Sequence, residues 1–469
     1  MSQNYRKITT KALSFLLIVV LIASVFTACT QPDTKPKSTS TLNSVSLADF
    51  SIVYAADTYG YNQRAAEYIQ SEIASRTGLN LTVLTDSDSP AGTYEIVVGN
   101  TTRDISSRLE PVADSVQFNI LAEDTQIAME GEYFVIAAAA YYFVNTYIPE
   151  NNYNAEIPME VSTHDPIVEE AKNYIIMIGD GMGPSQTRLF DAMENDRDFG
   201  HGEDTFFGYY LPYIGTHRTA SLTGVTDSAA GGTALACGIK TINYYVGQDK
   251  EHNPVQSITE LAGSLGMATA VMSTEVNTGA TPAAFSAHAD DRDDKSDIIV
   301  SQRELMDQYG TIIECGYDYY NFNGVKNICK KVTTTLTTLS EDPDGFFMMY
   351  EEAHTDKHGH NNELDKAYDA MIRFNRVIAI VMEYAFYHPN TFVLITADHE
   401  TGGLTATSGG YVYTSTDHTG VNVSVFAYGM GADLFHNKTI ENVQIPMTIA
   451  SFWGVEDFGD QTTFKPLEK

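Results

Sequence analysis

From Asn173 to Gly183 the chain reads NYIIMIGDGMG. Six residues, mostly apolar and β-favouring, run without a break into a glycine-rich turn that carries one acid. Such a run, bounded by turn signals, is a strand buried on both faces. Both faces are covered in a parallel sheet sandwiched between helices. Outward from it the pattern repeats. Ser257–Leu265 predicts a helix stopped by Gly266, and Met267–Ser273 a strand. Glu363–Tyr387 predicts a long amphipathic helix, broken by Pro389-Asn390. Thr391–Ala397 is a second buried strand, Val421–Ala427 a further one, and Ile440–Phe452 a closing helix. Strands alternating with helices predict an α/β fold: a mostly parallel sheet with helices on both faces. In such sheets ligands bind beyond the carboxyl ends of the strands. Asp180 and the triplet Asp398-His399-Glu400 fall there.

Upstream, residues 45–150 read as a separate small α/β domain. Ser51–Ala55 suits a strand. Gln63–Arg76 carries a helical stripe of Ala65, Ala66, Ile69 and Ile73, with Gly78 as its stop. Tyr94–Val98 is a strand, Phe118–Leu121 and Gln126–Met129 a hairpin, and Phe134–Tyr147 a helix. This order resembles the small accessory domain that precedes the catalytic barrel in some hexosaminidases and α-glucuronidases. Residues 151–171 read as a linker, and 172–469 as the second domain.

Residues 1–28 hold Arg6, Lys7 and Lys11, no acid, and an apolar run from Ala12 to Ala28. That is the form of a secretory signal peptide. It ends Val25-Phe26-Thr27-Ala28-Cys29, resembling a bacterial lipobox with Phe26 in place of the usual leucine, so Cys29 is the expected lipidation site. Residues 29–44, rich in Thr, Ser, Pro and Lys, read as a flexible tether. The body is therefore expected outside the cytoplasm, anchored to the cell membrane through lipid. The 469 residues include 61 Asp+Glu against 28 Lys+Arg, a formal charge of −33. That balance argues against a nucleic-acid partner, which recruits a Lys/Arg surplus, and against electrostatic docking on anionic lipid. If the substrate is an anion, something other than bulk charge must make the site positive, and metal ions do so.

Three further clusters carry chemistry. Asp356 and His360, in the stretch Glu351–His360, are one helical turn apart and able to face one metal. Ser228, in Gly224-Val225-Thr226-Asp227-Ser228-Ala229-Ala230, stands at a predicted helix start, where free N–H groups and the dipole favour an anion. His418-Thr419-Gly420 adds another imidazole. In this order and spacing the motifs resemble the alkaline phosphatase family, over about Lys172–Val455. Val225–Ala230 is similar to its nucleophile motif, and Ile178–Gly183 to its first metal motif. Glu351–His360 is similar to its Glu…Asp-x-x-x-His segment. Thr396-Ala397-Asp398-His399 and His418–Gly420 complete the set.

The resemblance implies hydrolysis of small phosphate monoesters through a phosphoserine, with two zinc ions and one magnesium. Asp356, His360 and His418 would hold the first zinc. Asp180, Asp398, His399 and Ser228 would hold the second. Asp180, Thr281 and Glu351 would hold magnesium. Ser228 would be the nucleophile, Arg292 the phosphate clamp, Asp227 its orienting partner, and Lys357 a second basic group near phosphate. A phosphodiesterase or phosphoglycerate mutase of the same superfamily, a sulfatase, and a surface carbohydrate-binding protein are the competing readings. Arg292 and the Glu351/Thr281 pair favour a monoesterase over the first two. Val-Thr-Asp-Ser-Ala-Ala lacks the nucleophile motif of a sulfatase.

Two departures stand out. Gly279 occupies the position where relatives carry Asp or His, two residues before the threonine ligand, which weakens the expected magnesium site. The stretches 292–351 and 400–418 are short for the family, so the inserted crown and its contacts in a possible homodimer are expected to be reduced. Cys315 and Cys329 fall in the first stretch, where export would permit oxidation. Cys237 reads as a small buried residue.

Overall fold

The computed structural model describes residues 40–468 except 124, 149–153, 190–204 and 317–321. The signal peptide, Cys29 and most of the tether lie outside the described residues.

The first domain is built on strands β1 (Ser51–Tyr54), β2 (Val83–Thr85), β3 (Glu95–Val98), β4 (Phe118–Glu123), β5 (Gln126–Glu130) and β6 (Ser162–His164). Its sheet order is β2-β1-β3-β5-β4-β6, parallel through β5 and then antiparallel. Helices α1 (Tyr61–Thr77) and α2 (Ile136–Tyr147) cover it. Gly78 ends α1 in the left-handed conformation that glycine adopts at no steric cost. Two boundaries move from their sequence-based positions. Thr41–Leu42, read as tether, pairs with Val45–Ser46 and Asn154–Ala155, and Leu42 is fully buried. β6 lies in the expected linker and adds an edge strand beside Phe118–Ile120. Segments this short show no periodicity, and only their partners make them strands.

The second domain carries β7 (Asn173–Gly179), β8 (Tyr213–Arg218), α3 (Ser228–Cys237), α4 (Ile258–Ser264), β9 (Ala268–Ser273), α5 (Ala280–Ala284), α6 (Lys295–Tyr309), β10 (Ile312–Cys315), α7 (Phe322–Leu339), β11 (Phe346–Glu352), α8 (His354–His360), α9 (Leu364–Tyr387), β12 (Thr391–Thr396), β13 (Val423–Tyr428), β14 (Thr439–Glu441) and α10 (Gln444–Phe452). Eight strands form one sheet in the order β10-β9-β11-β7-β12-β13-β8-β14. Only β13 runs against the others. β7, β11 and β12 are buried along their whole length, which is why their sequences read as unbroken apolar runs. Ser257 starts α4 with a complete capping box to Glu260. Cys315 on β10 and Cys329 on α7 are half-buried, and Cys237 is fully buried. No helix among the described residues is long and apolar enough to cross a membrane.

The two domains share one core. One continuous cluster of buried side chains includes residues of both. Phe134 lies 5.0 Å from Phe207 and 6.0 Å from Phe386, ring to ring. Tyr68 lies 4.4 Å from Tyr387. Arg64 on α1 forks onto Glu383 of α9 at 2.7 and 2.8 Å. Helix α9 is thus apolar on two faces, one toward its own sheet and one toward α2.

Candidate active site

The sheet register brings the polar clusters side by side. Ile178 is level with Glu351 and with Thr396, and Ser273 is level with Glu351. The residues just past four adjacent strands therefore share one end of the sheet: Asp180 after β7, Glu275 after β9, Glu351 at the end of β11, and Asp398 and His399 after β12. Gly181, at φ +71°, lets the turn after β7 approach α8 closely; a β-carbon there would stand 2.8 Å from the Asp356 Cα.

Asp356, His360 and His418 converge. His360 Nε2 is 3.1 Å from His418 Nε2, and each lies near Asp356 Oδ1, at 3.4 and 3.3 Å. The far nitrogen of each ring faces a backbone carbonyl: His360 Nδ1 to Thr416 at 2.6 Å, His418 Nδ1 to Thr226 at 2.8 Å. A carbonyl only accepts, so Nδ1 carries the proton. Both Nε2 atoms then point into the cluster, the orientation that metal-binding histidines adopt.

The second group sits beside it. His399 Nε2 is 3.2 Å from Asp398 Oδ2, 3.6 Å from Asp180 Oδ1 and 3.2 Å from Ser228 Oγ. Its ring stacks on His418 at 3.6 Å. Donor atoms of Asp180, Asp398 and His399 lie within 4.8 Å of one another, as do those of Asp356, His399 and His418. His399 thus stands between the two groups.

Electrostatics mark the site as short of positive charge. Burial, then the charges of Asp398 and Asp356, push the Asp180 carboxyl well up. Burial, then Asp356, raises Asp398. Burial, then Glu275, raises Glu351. Burial, then the charge of His418, holds His399 well below its usual value. Asp180 Oδ1, Asp398 Oδ2, Glu351 Oε1 and Thr281 Oγ1 are buried without a hydrogen-bond partner. Uncompensated buried carboxylates are costly unless paired or bound to metal, and imidazole nitrogens with carboxylate oxygens are zinc donors. The residues fit divalent cations. Glu352, next to Glu351, has a different fate. Burial works against its charge, but Arg373 at 3.3 Å and His354 at 3.2 Å hold its carboxyl down at about 2.

Ser228 is the first residue of α3 and is buried. The N-cap Asp227 accepts from the Ala230 amide at 3.0 Å through one oxygen. Its other oxygen takes Arg292 at 3.1 Å and the Tyr244 amide at 3.1 Å. Burial works against the Arg292 charge, and Asp227 outweighs it. Lys357 turns to Glu275, Nζ to Oε1 at 2.7 Å. Glu275 is the site residue that sequence reading missed. Its signal was positional: it follows a strand end, as Asp180 and Asp398 do.

The sequence model described as alkaline phosphatase matches residues 171–316 and 326–416. This chain belongs to the alkaline phosphatase family. It is 30% identical over 292 residues to alkaline phosphatase 3 of Bacillus subtilis, covering 50% of this chain and 62% of that one. Against alkaline phosphatase 4 of the same organism it is 29% identical over 295 residues, covering 51% and 64%. The chain thus spans somewhat under two thirds of the length of these family members. Among solved alkaline phosphatases, a mutant of the TAB5 enzyme with magnesium bound in its M3 site superposes at a TM-score of 0.53 and 25% identity, covering 62% of this chain and 100% of that one. The enzyme from the Antarctic bacterium TAB5 itself gives 0.53 at 24%, with the same coverage. The second domain therefore has the alkaline phosphatase fold, and the first domain precedes it.

Proposed function

We propose that this protein hydrolyses small phosphate monoesters outside the cytoplasm through a phosphoserine on Ser228. The observation that carries the reading is the setting of Ser228 Oγ: it opens a helix, His399 Nε2 lies 3.2 Å from it, and the adjacent Asp227 holds Arg292 at 3.1 Å. Membership of the alkaline phosphatase family supports it.

Asp356, His360 and His418 would hold one zinc, and Asp180, Asp398, His399 and Ser228 a second. Asp180, Thr281 and Glu351 offer the oxygen donors that magnesium prefers, and the magnesium-bound TAB5 mutant supports that assignment. When bound, the ions supply positive charge that favours the serine alkoxide and the departing oxygen. The protein's own groups do the rest. The α3 N-terminus favours an anion at Ser228. The Arg292 guanidinium offers two parallel N–H groups to two phosphoryl oxygens. Asp227 fixes its plane. Ser228 Oγ gives up its proton to solvent and bonds to phosphorus; the ester P–O bond breaks, and the alcohol leaves with a proton. Water then bonds to phosphorus, the Oγ–P bond breaks, and Ser228 regains its proton.

Export and a lipid anchor on Cys29 are part of the proposal and rest on the sequence of residues 1–44. Membrane fractionation of the wild type and Cys29→Ala tests them: the variant should leave the membrane fraction. The activity is tested by comparing p-nitrophenyl phosphate, bis-p-nitrophenyl phosphate and p-nitrophenyl sulfate, with and without zinc. Zinc-dependent turnover of the first above the others is expected. Preference for the diester overturns the reading.

A further inference from the structure

Gly279 leaves a space that another side chain fills. It lies at φ −60°, ψ 152°, a conformation open to any residue, so the turn does not demand glycine. A β-carbon at 279 would stand 2.5 Å from Glu275 Oε2 and 2.7 Å from its Cδ and Cγ. The three nearest atoms all belong to Glu275, so its carboxylate occupies the volume that a side chain at 279 would enter. Glu275 Oε1 accepts from Lys357 Nζ at 2.7 Å. The Glu275 amide donates to Ser273 Oγ at 2.8 Å, and the Ser273 hydroxyl donates to Glu351 Oε2. Glu275 is therefore tied by chain and by hydrogen bond to the oxygen cluster of Asp180, Thr281 and Glu351. Each of those residues is nine-tenths buried or more and has an oxygen without a partner.

We propose that Glu275 supplies to this third cation site the carboxylate that Gly279 cannot, reaching it from the end of β9, and that Lys357 sets its orientation. The inference rests on the reading of Asp180, Thr281 and Glu351 as a magnesium site. Magnesium keeps several of its waters, and groups that orient such waters set the affinity. A carboxylate from 275 does that work as well as one from 279, because both enter the same volume. The site keeps its acid although the usual position has lost it.

Purified, zinc-loaded full chain is titrated with Mg²⁺ by calorimetry, and retained magnesium is measured by elemental analysis after dialysis. Glu275→Gln keeps the shape and removes the charge; its Mg²⁺ affinity should fall by about 10–100-fold. Gly279→Asp alone should also weaken binding, because two side chains would compete for one space. Combining Glu275→Ala with Gly279→Asp should bind Mg²⁺ more tightly than Glu275→Ala alone, a rescue that a merely structural role for Glu275 would not give. Melting in zinc without magnesium checks the fold; if Glu275→Gln melts early, the rescue comparison decides. Unchanged Mg²⁺ affinity in Glu275→Gln, no rescue, or a wild type that binds no Mg²⁺ overturns the inference. The last result would leave phosphomonoesterase activity standing. Glu275-dependent Mg²⁺ binding in a protein inert toward phosphoesters would overturn only the function.

Discussion

Phe134→Ala asks whether the two sheets unfold as one body. Phe134 is fully buried, and its ring, from the first domain, stands against Phe207 and Phe386 of the second at 5.0 and 6.0 Å. Truncation forfeits the transfer energy of the ring and leaves a cavity whose walls belong to different sheets. Phe→Ala in a core costs about 3–5 kcal/mol. Because the cavity lies between the domains, the loss is charged to both. Urea unfolding would be followed by near-ultraviolet circular dichroism and by residual p-nitrophenyl phosphate hydrolysis, in wild type and variant. The two probes should trace one transition in each protein, and in the variant both should move together to lower urea, by the free-energy loss divided by the denaturant slope. A split transition refutes the shared core, with the first domain lost early and activity surviving to the wild-type midpoint. It would support the reading of residues 45–150 as a separable attachment.

The other predictions concern charge. Glu130 ends β5 with one oxygen unpartnered, and burial pushes its carboxyl from 4.5 up to about 8. The unfolded chain releases this proton near pH 4.5 and the fold keeps it until about 8, so its contribution is complete below 4.5 and lost as pH passes 8. Glu130→Gln should match wild type at pH 5 and exceed it at pH 9, by roughly 3–5 kcal/mol; equal urea midpoints at pH 9 contradict this. Arg292→Ala should lower kcat/KM for p-nitrophenyl phosphate by roughly 10²-fold or more, since a charged donor to the phosphoryl group is lost. Near-native kinetics would remove Arg292 from the site. His418→Ala and His399→Ala should each lose zinc by elemental analysis, the first from the Asp356 group and the second from the Asp180 group. Full zinc content in both variants would sink the ligand assignment.

The buried strands were legible because burial on both faces writes an unbroken apolar run: Asn173–Ile178 and Thr391–Ala397 needed no partner to be recognised. Helix α9 was legible by its period and by Pro389 beyond its end. β8 was not. Its sequence, YIGTHR, is half exposed, and the ladder that makes it a strand lies some two hundred residues on, at Val423–Ala427. The site followed the same division. Asp180, Asp398 and His399 announced themselves by position after apolar runs. Asp356 and His360 did so by helical spacing. Glu275 also follows a strand, yet its destination over Gly279 depends on how the intervening loop turns. Lys357 was expected near phosphate and is held by Glu275, a partner 82 residues away. Cys315 and Cys329 showed proximity in sequence only; whether two thiols meet is set by the directions of β10 and α7.

The most direct test is to trap the phosphoryl group on the protein. Enzyme turning over a phosphate monoester is quenched in acid, digested, and the peptide bearing Ser228 examined by mass spectrometry. The account predicts one added phosphoryl group on Ser228 in the wild type. It predicts none in Ser228→Ala, which should keep its zinc because six protein ligands remain, and should lose most turnover. A phosphoryl group on another residue, or a Ser228→Ala variant with near-native kcat, would contradict it.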